Sequence, residues 1–242
     1  MVDVPNVNLE KENLDVDKMC VDATTSMIAF SVSVVCSYLL WNGTKNDQFF
    51  SVGVFLIGLI QLNEFFLWRN QTCGLLNHLF SLSILVILWL QSVVMLTVFY
   101  LFYPVRVIPP LVTDVYLVLC TTFTAYLLYV LHQSRLCSRP KGCRLAWSAY
   151  THLSKDPLLL WIHFLFYFIP FFIFFVETIF LHRDDALRYK VRYAFLPFTF
   201  TLAIAFGIYK GFLTSPLSYA DVFGSLWCFL SVALGIIGVL HI

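Results

Sequence analysis

Apolar runs of bilayer-crossing length recur along this chain, and that recurrence limits its folds more than any other feature. A helix needs about 20 apolar residues to cross the hydrocarbon layer. Seven runs fit: Thr24–Trp41, Phe49–Trp68, Leu75–Tyr103, Pro110–Leu131, Pro157–Leu181, Tyr193–Leu213 and Ser218–Ile242. Pro104, Pro109-Pro110 and Ser215-Pro216 punctuate them, and Pro157 suits a first helical turn. Outer-membrane strands would show alternating segments of about ten residues, and these runs do not. No repeat is visible. The expected fold is all-α, a polytopic bundle of seven transmembrane helices over residues 24–242. The acidic tail at 1–23 lacks a basic start and short apolar core, so it reads as a disordered segment rather than a signal peptide.

Composition supports this class. Only 12% of the 242 residues are charged, against about 25% in soluble domains. The net charge of +1 offers no field to draw nucleic acid. The implied partner is the lipid bilayer. A small molecule or ion, and self-association into a homo-oligomer, stay open. Most of the cysteines fall in apolar runs and read as small hydrophobes. Cys137 and Cys143 share one loop and would bridge if that loop were lumenal.

Seven spans put the termini on opposite sides. Lys11, Lys18, Arg69, Arg135, Arg139, Lys141, Arg144 and Lys155 fall on the N-terminal side, against Lys45, Arg106, Arg183, Arg188, Lys190 and Arg192. The excess places an integral membrane protein with its N-terminus in the cytoplasm. Asn42 is then the glycosylation pattern on the lumenal side and Asn70 the one facing the cytoplasm.

Polar residues inside apolar runs are costly, so they are paired or functional. Gln61, Glu64, Phe65 and Trp68 share one helical face by their i, i+3, i+4, i+7 spacing. Glu64 and Asn77 fall at matching depth across a short hairpin, roughly 6 Å inside the span at 1.5 Å per residue. His163, Lys210, Asp221 and Cys228 belong to the same membrane half, with Trp227 beside them. Gln61, Glu64, Asn77, His163, Asp221, Trp227 and Cys228 form the candidate ligand-binding set. Each has a plainer reading. Glu64 bonded to Asn77 would be a hairpin lock, His163 a satisfied interfacial histidine, and Asp221 a helix N-terminal acid facing the dipole. Trp227 reads equally as packing. Lys210 can snorkel to the interface. The amphipathic stretch Cys143–Leu153 reads as an interfacial loop helix.

The histidines form no H-x-x-x-H or H-E-x-x-H pattern, so no metal or other cofactor is expected. The last apolar run has no lysine for a retinal Schiff base. Nucleophilic catalysis lacks a G-x-S-x-G or a Cys-His pair. The leading reading is an intramembrane polar site centred on Glu64 that handles a small ligand, ion or proton. The alternative is a structural or interaction membrane protein whose polar residues specify packing. A membrane-embedded enzyme comes third.

Gln61-x-x-Glu64-Phe-x-x-Trp68, Cys73-x-x-x-Asn77 and Gly224-Ser-Leu-Trp-Cys228 resemble segments of a family of uncharacterised multi-pass proteins of large DNA viruses of protists and some microbes. The likeness covers the second, third and seventh runs. It implies a seven-helix membrane protein with Glu64, Asn77, Trp227 and Cys228 as signature positions, and a viral source would suggest a virion or host-membrane component. It implies no mechanism.

Overall fold

The computed structural model describes residues 22–102, 108–141, 144–181 and 235–240. The tail at 1–21, the sixth apolar run and most of the seventh lie outside the described residues, as do Lys210, Asp221, Trp227 and Cys228. The described elements are α1 (Ala23–Trp41), α2 (Lys45–Arg69), α3 (Leu75–Phe102), α4 (Pro110–His132), β1 (Arg139–Lys141), β2 (Arg144–Ala146), α5 (Ser148–Leu153) and α6 (Pro157–Leu181). Four of them, α1 to α4, are long and apolar enough to cross a membrane. α6 has the bounds expected for the fifth run.

Helix boundaries follow local chemistry. Asp22 caps α1 by accepting the Thr25 N–H at 2.8 Å. Thr44 and Asp47 form a reciprocal capping box at the start of α2. Pro109-Pro110 opens α4, where a missing N–H costs nothing. At the start of α6, Asp156 accepts the N–H groups of Leu158 and Leu159.

α1 and α2 form a tight antiparallel pair. Ser37 Oγ donates to the Ser51 carbonyl and Ser51 Oγ to that of Ser37, both at 2.7 Å. Gly58 lets the backbones approach, since a Cβ there would lie 2.7 Å from Ser33 Cβ. Residues 235–240 are helical and lie against this pair: a Cβ on Gly235 would meet Val54 and Cys36, and one on Gly238 would meet Leu40 and Phe50. α2 is the most enclosed of the four membrane-length helices, with 67% of its most apolar window buried against 28% for α4. Ile28, Val35 and Tyr38 of α1 and Leu111, Val118 and Tyr129 of α4 are exposed, as apolar side chains in contact with a bilayer would be.

α3 packs along α2 through polar as well as apolar groups. Asn63 Nδ2 donates to the Phe80 carbonyl at 2.9 Å, and Ser83 Oγ donates to Asn63 Oδ1 at 2.6 Å. α4 joins α3 through Trp89–Thr121 and Tyr100–Thr113. α6 closes on both, with Tyr116 OH bonded to the Phe166 carbonyl.

The connection from α4 to α6 departs from the interfacial loop helix expected over Cys143–Leu153. It contains the antiparallel β1–β2 hairpin, with Pro140 opposite Leu145. Among its described residues only α5 is helical. Leu136, Leu145, Trp147, Ala149, Tyr150 and Leu153 are all buried. Trp147, Leu145 and Tyr150 join Ile60, Leu67, Ile84, Leu88 and Tyr167 in one core cluster. The amphipathic pattern in Cys143–Leu153 therefore serves inward packing between α2, α3 and α6. The described parts of this connection, residues 133–141 and 144–156, form a plug.

Candidate functional site

The α2 face carrying Gln61, Glu64 and Trp68 looks into the seat of the plug. Glu64 is 0% exposed, and its Oε1 accepts the Trp147 indole N–H at 2.9 Å. Trp147 is also 0% exposed. An indole N–H is a donor with no acceptor capacity, so burial of so large a side chain demands an acceptor at this spot. Glu64 supplies it.

One turn earlier, Gln61 is 0% exposed, and among the described residues neither its Oε1 nor its Nε2 has a hydrogen-bond partner. Trp68 Nε1 is likewise buried without a partner among the described residues. Buried amides are nearly always satisfied.

Asn77 does not meet Glu64. Its Nδ2 donates to the carbonyls of Asn70 at 2.6 Å and Ser138 at 3.0 Å. Its Oδ1 accepts from Ser138 N at 2.8 Å and Ser81 Oγ at 3.3 Å. A single buried carboxamide thus reads both backbone groups of Ser138, as a neighbouring strand would. Ser138 Oγ continues the chain to Ser81 Oγ at 2.7 Å and accepts the Ser148 N–H at 3.0 Å. The Glu64–Asn77 hairpin lock expected from depth is replaced by two contacts to one plug. Each of the two residues bonds a different part of the α4–α6 connection, Glu64 at Trp147 and Asn77 at Ser138.

His163 is buried, and its Nε2 lies 2.9 Å from Tyr150 OH. Deeper in the bundle, Tyr167 OH donates to Gln91 Oε1, and Gln91 Nε2 donates to the Leu56 carbonyl at 2.9 Å. At the edge of the plug, the Leu136 N–H donates to His78 Nδ1 at 3.2 Å, and His78 Nε2 faces His132 Nδ1 at 3.4 Å. Among the described residues no three His, Cys, Asp or Glu side chains group as a metal site would require.

A disulfide joins Cys73, in the α2–α3 loop, to Cys137 of the plug. The sequence suggested Cys137 with Cys143. Loop-sharing was the signal for that pairing, but the α2–α3 loop lies against Cys137 instead. Cys143 is outside the described residues. Arg139 stands over the bridge, with Nη2 at 2.9 Å and Nε at 3.3 Å from Cys73 Sγ, and Nε at 3.3 Å from Cys137 Sγ.

The described structure thus brings Gln61, Glu64, Asn77 and His163 around one plug, Gln61 as an unbonded neighbour and the other three through hydrogen bonds. Trp147, Ser138 and Tyr150 complete the arrangement, and the sequence did not single them out. Trp147 sits inside the amphipathic stretch between the small residues Ala146 and Ser148, and that was the one available signal. The helices and their apolar outer faces define a helical membrane protein. Against models of known families, curated proteins and solved structures, the chain has no significant match.

Proposed function

We propose that this chain is a multi-pass membrane protein whose buried polar residues hold a plug in one end of the helix bundle, a structural or interaction role rather than catalysis. One observation carries the reading: Glu64 is closed off from solvent and its Oε1 is spent on Trp147, the side chain that anchors the plug. A carboxyl used for ion or ligand traffic needs a wetted approach, and this one is fully buried beside the equally buried Trp147. Asn77 and His163 support the same reading, because their polar contacts run to Ser138 and Tyr150 of the plug.

A double-mutant cycle tests it. Glu64→Gln keeps an acceptor for the indole and is expected to leave stability in detergent nearly unchanged. Glu64→Leu leaves a buried N–H orphaned and is expected to cost about 1–3 kcal/mol. In a Trp147→Phe background the cost of Glu64→Leu is expected to shrink by most of that amount. An ion or proton flux in proteoliposomes that disappears in Glu64→Gln, with stability intact, would overturn the structural reading.

Gln61 favours the second reading, that the site handles a small ligand, ion or proton. Its unbonded carboxamide, one turn from Glu64, presents a donor and an acceptor to any polar species admitted when the plug moves. The charge excess at the plug end supports a cytoplasmic placement of that end and of the N-terminus. The resemblance to the uncharacterised viral multi-pass family would make the protein a virion or host-membrane component. Neither proposal above depends on it.

A further inference from the structure

We propose that Cys73–Cys137 is a thiol-exchangeable disulfide, activated by Arg139, whose opening by a small thiol or dithiol releases the plug. Cys73 and Arg139 are exposed and Cys137 is half-buried, so a small reductant has access from the aqueous end of the bundle. The guanidinium aims two donors at Cys73 Sγ and one at Cys137 Sγ. A cation beside a sulfur stabilises the thiolate, and a thiol of lower pKa leaves faster in exchange. Cys73, with two of the three contacts, is the better leaving group.

The attacking thiolate forms a bond to Cys137 Sγ. The Cys73–Cys137 bond breaks, and its electron pair goes to Cys73 as a thiolate paired with Arg139. A second thiol, or the second arm of a dithiol, attacks the mixed disulfide and frees Cys137. The two reductant thiols are oxidised to one disulfide, and their protons end on Cys73 and Cys137.

The position of the bond gives it leverage. Cys137 adjoins Ser138, whose two backbone groups are held by Asn77, and the chain then runs through β1 and β2 to Trp147. The basic residues gathered at this end point the same way. They favour the cytoplasmic side, where disulfides are transient and serve sensing or catalysis.

The test uses the full-length oxidised protein in detergent. Opening by dithiothreitol is followed by quenching with a maleimide polymer and counting modified thiols. Arg139→Gln is expected to slow opening by about three- to tenfold, Arg139→Lys to recover most of the rate, and Arg135→Gln on the same loop to leave it unchanged. Tryptic cleavage within residues 135–144 is expected to accelerate on reduction of the wild-type chain. Equal opening rates in wild type and Arg139→Gln, or an opening that requires denaturant, refutes the activated-disulfide proposal. Unchanged tryptic cleavage after complete reduction refutes the release of the plug. Neither result depends on whether Glu64 has a structural or a transport role.

Discussion

Replacing Asn77 with leucine removes a side chain that bonds Asn70, Ser81 and both backbone groups of Ser138. Leucine nearly preserves the volume, so no large cavity opens, and the loss is almost wholly polar. Ser138 is 0% exposed, so its N–H and carbonyl are both left without a partner. Each orphaned group costs about 1–3 kcal/mol. The Asn70 carbonyl is half-exposed and can turn to water, and Ser81 keeps Ser138 Oγ. Burial of extra apolar surface returns about 1–2 kcal/mol. The net is a loss of about 1–4 kcal/mol. The three bonds that leave α3, one to Asn70 and two to Ser138, give about 1.8 kcal/mol at the membrane-protein average of about 0.6 kcal/mol each, inside that range. Asn77→Asp keeps an acceptor for the Ser138 N–H but turns an oxygen toward the carbonyls of Asn70 and Ser138, so it should be no better. The assay is denaturant-driven unfolding in detergent, paired with tryptic cleavage of the plug. A loss under about 1 kcal/mol for Asn77→Leu, with the plug still protected, would refute the idea that this carboxamide holds the plug.

Two further outcomes follow from local geometry. Gly58→Val is expected to loosen the α1–α2 pair and cost about 1–3 kcal/mol. Gly74→Ala, whose Cβ would meet nothing closer than Thr72 Oγ1 at 3.9 Å, should be neutral in the same unfolding assay. The Thr25 backbone N–H holds the Asp22 carboxyl below its ordinary range. Its folded-state pKa is therefore depressed, so its cap stabilises α1 above the ordinary carboxylate pKa and is lost as pH falls through the folded value. Protection of the first-turn amides of α1, taken relative to their intrinsic exchange rate at each pH, should fall on acidification in the wild type and lose that pH dependence in Asp22→Ala.

Much of the helical layout was legible in the sequence. The fifth run matches α6 at both ends, and the first, third and fourth match their helices to within a residue at each end. Those limits rest on strong local signals: proline, capping side chains and the transition from apolar to polar residues. The second run began too late because Lys45, Asn46, Asp47 and Gln48 look like a loop, while the Thr44–Asp47 capping box carries the helix through them. Depth along the helices also placed Asn77 and His163 correctly at the end that receives the α4–α6 connection.

What sequence alone determined is the class, because hydrocarbon admits only long runs of apolar residues with internally satisfied backbones. It also located the costly polar groups, Gln61, Glu64, Asn77 and His163. Tertiary structure alone decided their partners. Glu64 meets Trp147 across 83 positions of chain, and Asn77 meets Ser138 across 61. Cys73 reaches past its own loop to Cys137. Helical period and depth fix where a side chain lies along a span, but they carry no information on which distant segment fills the space opposite. Here that segment was a hairpin and a single helical turn, too short to leave a periodic signature of their own.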